Sequence, residues 1–188
     1  MTKMKPDFGQ RKYRLQGVIL ASLVFIADQA VKYAMIGPLA LKSRLQINIM
    51  PFFNLTWAEN RGVSMSFLTA TSDTQRWMLV ALTGGIALIV AAWMLREEKR
   101  GDVLALAMVL GGACGNIVDR VRYGYVVDYA DLHFSDFKPF QIFNLADACI
   151  TIGVLLLLAR AFLMREKAPI DRSGVQEPAS SADVTESV

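Results

Sequence analysis

The sequence predicts a membrane protein that is mainly α: four transmembrane helices, with a small extracytoplasmic β-subdomain between helices 1 and 2. Three observations carry this. First, 54% of the 188 residues are hydrophobic and the mean hydropathy is +0.36, whereas soluble domains lie nearer 45–50% apolar. Second, the apolar residues are gathered into four blocks, giving spans of about 15–36, 77–95, 103–119 and 142–164. Third, lysine and arginine alternate between the ends of those blocks. A spanning helix needs about 20 residues, with roughly 17 tolerable.

Each element follows in order. Residues 1–14 form a basic N-terminus carrying Lys3, Lys5, Arg11, Lys12 and Arg14. The basic-then-apolar start has the look of a secretory signal, yet the apolar block holds Asp28 and Lys32 and no small-residue cleavage site follows. It is expected to be retained, opening a membrane domain over 15–164. Residues 37–76 make an outer subdomain: "LQINIM" alternates apolar and polar, and "FNLTWAEN" does so again after Pro51, the pattern of short strands. Phe52, Phe53 and Trp57 suit either the membrane interface or packing within that sheet. Trp77–Leu95 contains no charge, and Val103–Val118 is Gly-rich with Asn116 as its one strongly polar side chain. Residues 120–141 are read as an outer loop, and 165–188 as a cytoplasmic tail whose polar, Ser-, Ala- and Pro-rich composition predicts disorder.

Orientation follows from the basic residues, which are enriched on cytoplasmic segments. They crowd the N-terminus, the link holding Arg96, Lys99 and Arg100, and the stretch after the fourth span, while 37–76 is sparse in them. Both termini are therefore expected in the cytoplasm. These anchors account for the pI near 8.9, and no nucleic-acid partner is read from it. Cys114 and Cys149 fall inside spans and make neither a disulfide framework nor a metal spacing.

That topology sorts the polar residues by depth. Asp28 lies about 12 Å below the outer end of the first helix at 1.5 Å per residue, with Lys32 four residues on and on the same face. Asn116 and Arg120 mark the outer end of the third span, and Asn144 and Asp147 the first outer turns of the fourth; Asn60 and Asp128 belong to the outer segments. A charge near the centre of a membrane costs at least about 2.5–3.5 kcal/mol, so it is paired, wet or functional. Asp28 with Lys32 fits an i,i+4 ion pair as well as a site. Asp119 is expected to mark a helix end, Asp131 and Asp136 to be solvated loop charges, Arg160 to be a snorkelling anchor, and His133 to be structural or exposed.

Asp128 and Asp147 remain as the pair with chemistry to do. Two close carboxylates share a proton; the ionised one deprotonates water while the other donates to a substrate carbonyl. That is aspartic-protease chemistry, with no metal, nucleotide or other cofactor. Three rivals stand beside it: a Ser/Lys peptidase built from Ser64 or Ser66 with Lys32, a proton or ion transporter using the intramembrane acids, and a non-enzymatic assembly factor.

Five blocks in order, "DQAVK" (28–32), "NRGVSMSF" (60–67), "GGACGNIVDR" (111–120), "VVDY" (126–129) and "FNLAD" (143–147), resemble those of lipoprotein signal peptidase, the type II bacterial signal peptidase. The resemblance implies an intramembrane aspartyl endopeptidase of the bacterial inner membrane, its active site near the periplasmic face. It implies prolipoprotein substrates, cut before a diacylglyceryl-modified cysteine, and contact with membrane lipid. Its catalytic dyad falls on Asp128 and Asp147; its substrate-binding or site-supporting residues fall on Asp28, Lys32, Asn60, Gly62, Asn116, Arg120 and Asn144. The chain departs from the family pattern at Val63, Ser64 and Met65 after Gly62, and at Ala148 where the family often has Ser.

Overall fold

A computed structural model describes residues 8–62, 73–134, 137 and 140–165; Ser64, Ser66, Asp136 and the tail from Ala168 lie outside these. The element order is α1 (Phe8–Ile36), α2 (Leu41–Arg44), β1 (Gln46–Met50), β2 (Phe53–Asn60), α3 (Asp73–Arg96), α4 (Arg100–Tyr123), β3 (Val126–Leu132) and α5 (Leu145–Arg165). Four of the helices, α1, α3, α4 and α5, are long and apolar enough to cross a membrane. A bilayer offers no hydrogen-bond partner to backbone, and the helix satisfies its own. Their outward faces are apolar, with Leu88 on α3 and Phe162 on α5 largely exposed.

The centre of the bundle is α4, which packs on α1, α3 and α5. Its glycines allow this. A Cβ on Gly111 would stand 2.5 Å from the Ala21 carbonyl of α1, and one on Gly112 would stand 2.5 Å from the Ala146 carbonyl of α5. Small residues of this kind let membrane helices approach backbone to backbone. Below them, Ala21, Met94, Val103, Leu106 and Ala107 form the bundle's buried core.

The third span runs to Tyr123, past the expected end at 119, so Arg120 is helical and one turn beyond Asn116. What ends it is Gly124, at φ 81°, whose N–H donates to the Arg120 carbonyl. Arg76, near the start of α3, supplies a second cap: its Nε donates to the Arg120 carbonyl at 2.7 Å and its Nη2 to the Val121 carbonyl. At the opposite end of the bundle, Arg160 is paired with Asp102 of α4, and Arg100 Nε donates to Gln16 Oε1.

The sheet is antiparallel in the order β1-β2-β3. Its third strand comes from the connection between α4 and α5, within the stretch read from sequence as a loop. β3 is buried along nearly its whole length. Its free edge is closed by a bridge between Ala130 and Phe143, which also removes an exposed edge strand. Phe53 and Trp57 pack with Leu41, Met35 and Tyr129 into a second core between the sheet and the end of α1, whereas Phe52 is exposed. Burial of β3 also explains Asp131, which is 3% exposed and accepts from Thr56 Oγ1 at 3.0 Å, not a solvated loop charge. His133 follows the strand, its Nε2 2.8 Å from Asn54 Nδ2.

Candidate active site

The site is assembled around the first turn of α5. The early N–H groups of a helix have no partner within it, and here the first three are met by β3, by α1 and by the capping residue Asn144. Leu145 N–H donates to the Tyr129 hydroxyl of β3 at 3.1 Å, and Ala146 N–H to Asp28 Oδ1 of α1 at 3.1 Å. Asp147 N–H donates to Asn144 Oδ1 at 2.9 Å, and Asn144 N–H reaches Asp147 Oδ2 at 3.3 Å. This reciprocal pair is a capping box written N-x-x-D. "FNLAD" is therefore a helix start whose capping acid is one of the two candidate catalytic residues.

Two asparagines join the acids. Asn144 Nδ2 donates to Asp128 Oδ1 at 2.6 Å and to Asn116 Oδ1 at 3.3 Å. Asn116 Nδ2 in turn donates to Asp147 Oδ1 at 2.8 Å. Asp128 is 2% exposed on β3, paired in register with Ala58. Burial, then the neighbouring charge of Asp147, raises its carboxyl to about 6, against hydrogen bonds from Asn60 and Asn144 and the charge of Lys32.

Beneath this layer lies an ionic cluster. Lys32 Nζ sits 2.9 Å from Asp28 Oδ2 and 2.8 Å from Asp119 Oδ2, and donates to Asn116 Oδ1 at 3.1 Å. Asp119 Oδ2 also accepts from the Val127 N–H at 3.1 Å, fixing the backbone next to Asp128. Gln29 Nε2 completes the cluster, donating to Asp28 Oδ2 and Asp119 Oδ1 at 3.2 and 3.1 Å. Asp28 and Lys32 are thus an i,i+4 pair that also supports the site: one oxygen of Asp28 takes the ammonium and the other caps α5.

The remaining expected residues lie at the rim. Asn60 ends β2, and its Oδ1 accepts from the Gly62 N–H at 2.9 Å. Gly62 has φ +78°, and a Cβ there would stand 3.0 Å from Leu79 Cδ1 and 3.7 Å from Arg120 Nη2. Arg120 Nη1 reaches the Asn116 carbonyl at 3.5 Å, and its guanidinium feels the charges of Asp147, Asp128 and Asp119. The nine site residues that the resemblance implies therefore belong to one network or its edge. An apolar groove of about 330 Å³ opens beside Asp147, lined by Leu132, Phe140, Phe143, Thr151 and Ile152 among others.

Sequence reasoning missed three members. Asp119 was expected to mark a helix end but is 1% exposed and paired with Lys32; the signal was its place three residues after Asn116, on the same face of an apolar helix. Gln29, beside Asp28, and Tyr129, beside Asp128, were passed over because neither carries charge.

The fold defines a multi-pass membrane protein with its polar groups concentrated at the sheet-bearing end. A family model described as signal peptidase (SPase) II matches residues 20–163. A lipoprotein signal peptidase of Sphingopyxis alaskensis is 61% identical over 152 residues, 81% of this chain and 88% of its own length. One of Rhizorhabdus wittichii is 54% identical over 160 residues, 85% of this chain and 93% of its own. A bacterial membrane enzyme solved by the in meso method at 2.3 Å superposes with a TM-score of 0.66 at 26% identity, covering 86% of this chain and 94% of that one. The chain belongs to the signal peptidase II family.

Proposed function

We propose that the chain is an aspartyl endopeptidase that removes signal peptides from diacylglyceryl-modified prolipoproteins, cutting before the lipidated cysteine. The observation that carries this is the joining of Asp128 and Asp147, from separate elements, through Asn144 and Asn116. Asp128, held up to about 6, keeps the shared proton, and Asp147 takes one from water. The resulting hydroxide adds to the scissile carbonyl carbon while the Asp128 proton passes to the carbonyl oxygen. Collapse of the tetrahedral intermediate re-forms the carbonyl and breaks the C–N bond. The nitrogen leaves with a proton, and the pair returns to one shared proton. The free enzyme loses that proton as pH rises through about 6; substrate, by excluding water, holds it to higher pH.

The supporting residues take roles from their contacts. Asn116 and Asn144 orient the acids; Asp28 and Lys32 hold α5 and α4 in register beneath them; Arg120 faces developing negative charge. Asn60 and Gly62 shape the rim over which substrate backbone passes, and the groove beside Asp147 takes an apolar part of the substrate. The distribution of basic residues supports an inner-membrane protein with both termini cytoplasmic and the site near the periplasmic face. The partner, besides substrate, is then the lipid around it. A Ser/Lys mechanism fits less well, because the Lys32 ammonium is committed to two carboxylates and an amide oxygen.

The test is cleavage in detergent of a prolipoprotein with and without its diacylglyceryl group, with a chelator in one arm and Ser64→Ala/Ser66→Ala in another. Lipid-dependent cleavage that survives both the chelator and the serine changes is expected. Equal cleavage of the unlipidated precursor would remove the substrate assignment, and loss in the serine variant would favour the Ser/Lys reading.

A further inference from the structure

The first three N–H groups of α5 are tethered by Tyr129, Asp28 and Asn144 in turn. Two of these tethers are carboxylate or amide groups of the network already described. The third is a neutral phenol, 7% exposed, on the residue that follows Asp128. Main-chain bonds hold the segment upstream: the Tyr129 and Ala130 N–H groups both donate to the Phe143 carbonyl, and Phe143 N–H donates to Ala130. They fix β3 to Phe143, upstream of the helix. The hydroxyl reaches α5 itself, at Leu145.

We propose that Tyr129 is a positioning residue: by accepting the first N–H of α5, its hydroxyl sets the separation of β3 from the first helical turn, and with it that of Asp128 from Asp147. The proposal rests on the reading of those two acids as the reacting pair. Its geometry does not, since the tether exists whichever groups react. Burial pushes the phenol up to about 12, so it stays neutral across the working pH range. The charged groups facing it are Asp28 from α1, Asp147 from α5 and Asp128 on its own strand. Those facing Asp128 are Asp147, Lys32 and Arg120.

The experiment is Tyr129→Phe in the full chain, which removes one oxygen and refills the same volume. With lipidated precursor, kcat falls about tenfold, the size of one hydrogen bond realised at the reacting centre, while KM stays within about twofold. The alkaline limb of kcat/KM moves to lower pH, because Asp147 held less firmly beside Asp128 raises it less. Amide exchange at Leu145 accelerates while the melting temperature in detergent stays near wild type. Unchanged exchange at Leu145 would overturn the tether itself. Faster exchange with unchanged kcat and pH profile would overturn its role in positioning, as would unfolding of the variant, which would assign the hydroxyl to the fold. Activity retained by Asp128→Asn would defeat the dyad reading instead, and the exchange result would still decide the tether.

Discussion

Gly115 leaves the space that Asp28 occupies: a Cβ on Gly115 would stand 2.4 Å from Asp28 Oδ2. At Gly115, α4 therefore packs against α1 at the carboxylate that both binds Lys32 and caps α5. Packing of the bundle and order in the site are the same contact.

Gly115→Ala forces Asp28 aside and costs about 1–3 kcal/mol, typical of overpacking, with activity falling by at least about tenfold. Gly84→Ala on α3, where no described atom lies within 4 Å of the added carbon, lowers neither. Melting in detergent and cleavage rate of the two variants check this.

Asn144→Ala removes the cap of α5 and both hydrogen bonds that its side-chain amide donates, to Asp128 and to Asn116. Loss of an N-cap costs about 1 kcal/mol, but turnover should fall far more, by about 100-fold or beyond. Asn144→Asp keeps a capping oxygen while placing a third acid beside Asp128. It is expected to restore much of the melting temperature and none of the rate.

Lys32→Met strands two buried carboxylates, Asp28 and Asp119, without their shared cation. Breaking a buried pair in this way costs about 3–5 kcal/mol, and poor accumulation in the membrane is the expected result. Adding Asp119→Asn to Lys32→Met removes one stranded charge and recovers part of the yield. A double variant no better than the single would show that Asp119 is not held by Lys32.

Asp128 gives the pH dependence of stability. Its carboxyl is raised in the folded protein to about 6 from 3.8, so the folded state holds the extra proton between those values. Stability is full below that window and is lost as pH rises through about 6, by about 3 kcal/mol at most. Asp128→Asn carries no such charge. It should melt above wild type at pH 8, and the gap should narrow below pH 6 and close as pH falls to 3.8.

Much of this was legible in the sequence, because a bilayer makes polar residues conspicuous. Four apolar blocks gave the helices, and the few strongly polar residues within them gave Asp28, Lys32, Asn116 and Asp147. The alternation of 45–60 gave β1 and β2. β3 was not read, because "VVDYADL" is buried on both faces and so shows no period of two. That one omission hid why Asp131 is buried, why Asp119 reaches the Val127 backbone, and how Tyr129 meets Leu145. Asp119 was misjudged for a related reason: a charge near a helix end looks solvated until a strand is found covering it.

The most direct test of the central claim is single-turnover cleavage of diacylglyceryl-modified precursor by wild type, Asp128→Asn and Asp147→Asn, each shown to be inserted and folded. The account predicts that either change abolishes cleavage, at least 1,000-fold by the usual order of magnitude for loss of an essential acid or base, without loss of substrate binding. Turnover near the wild-type rate in either variant would contradict it.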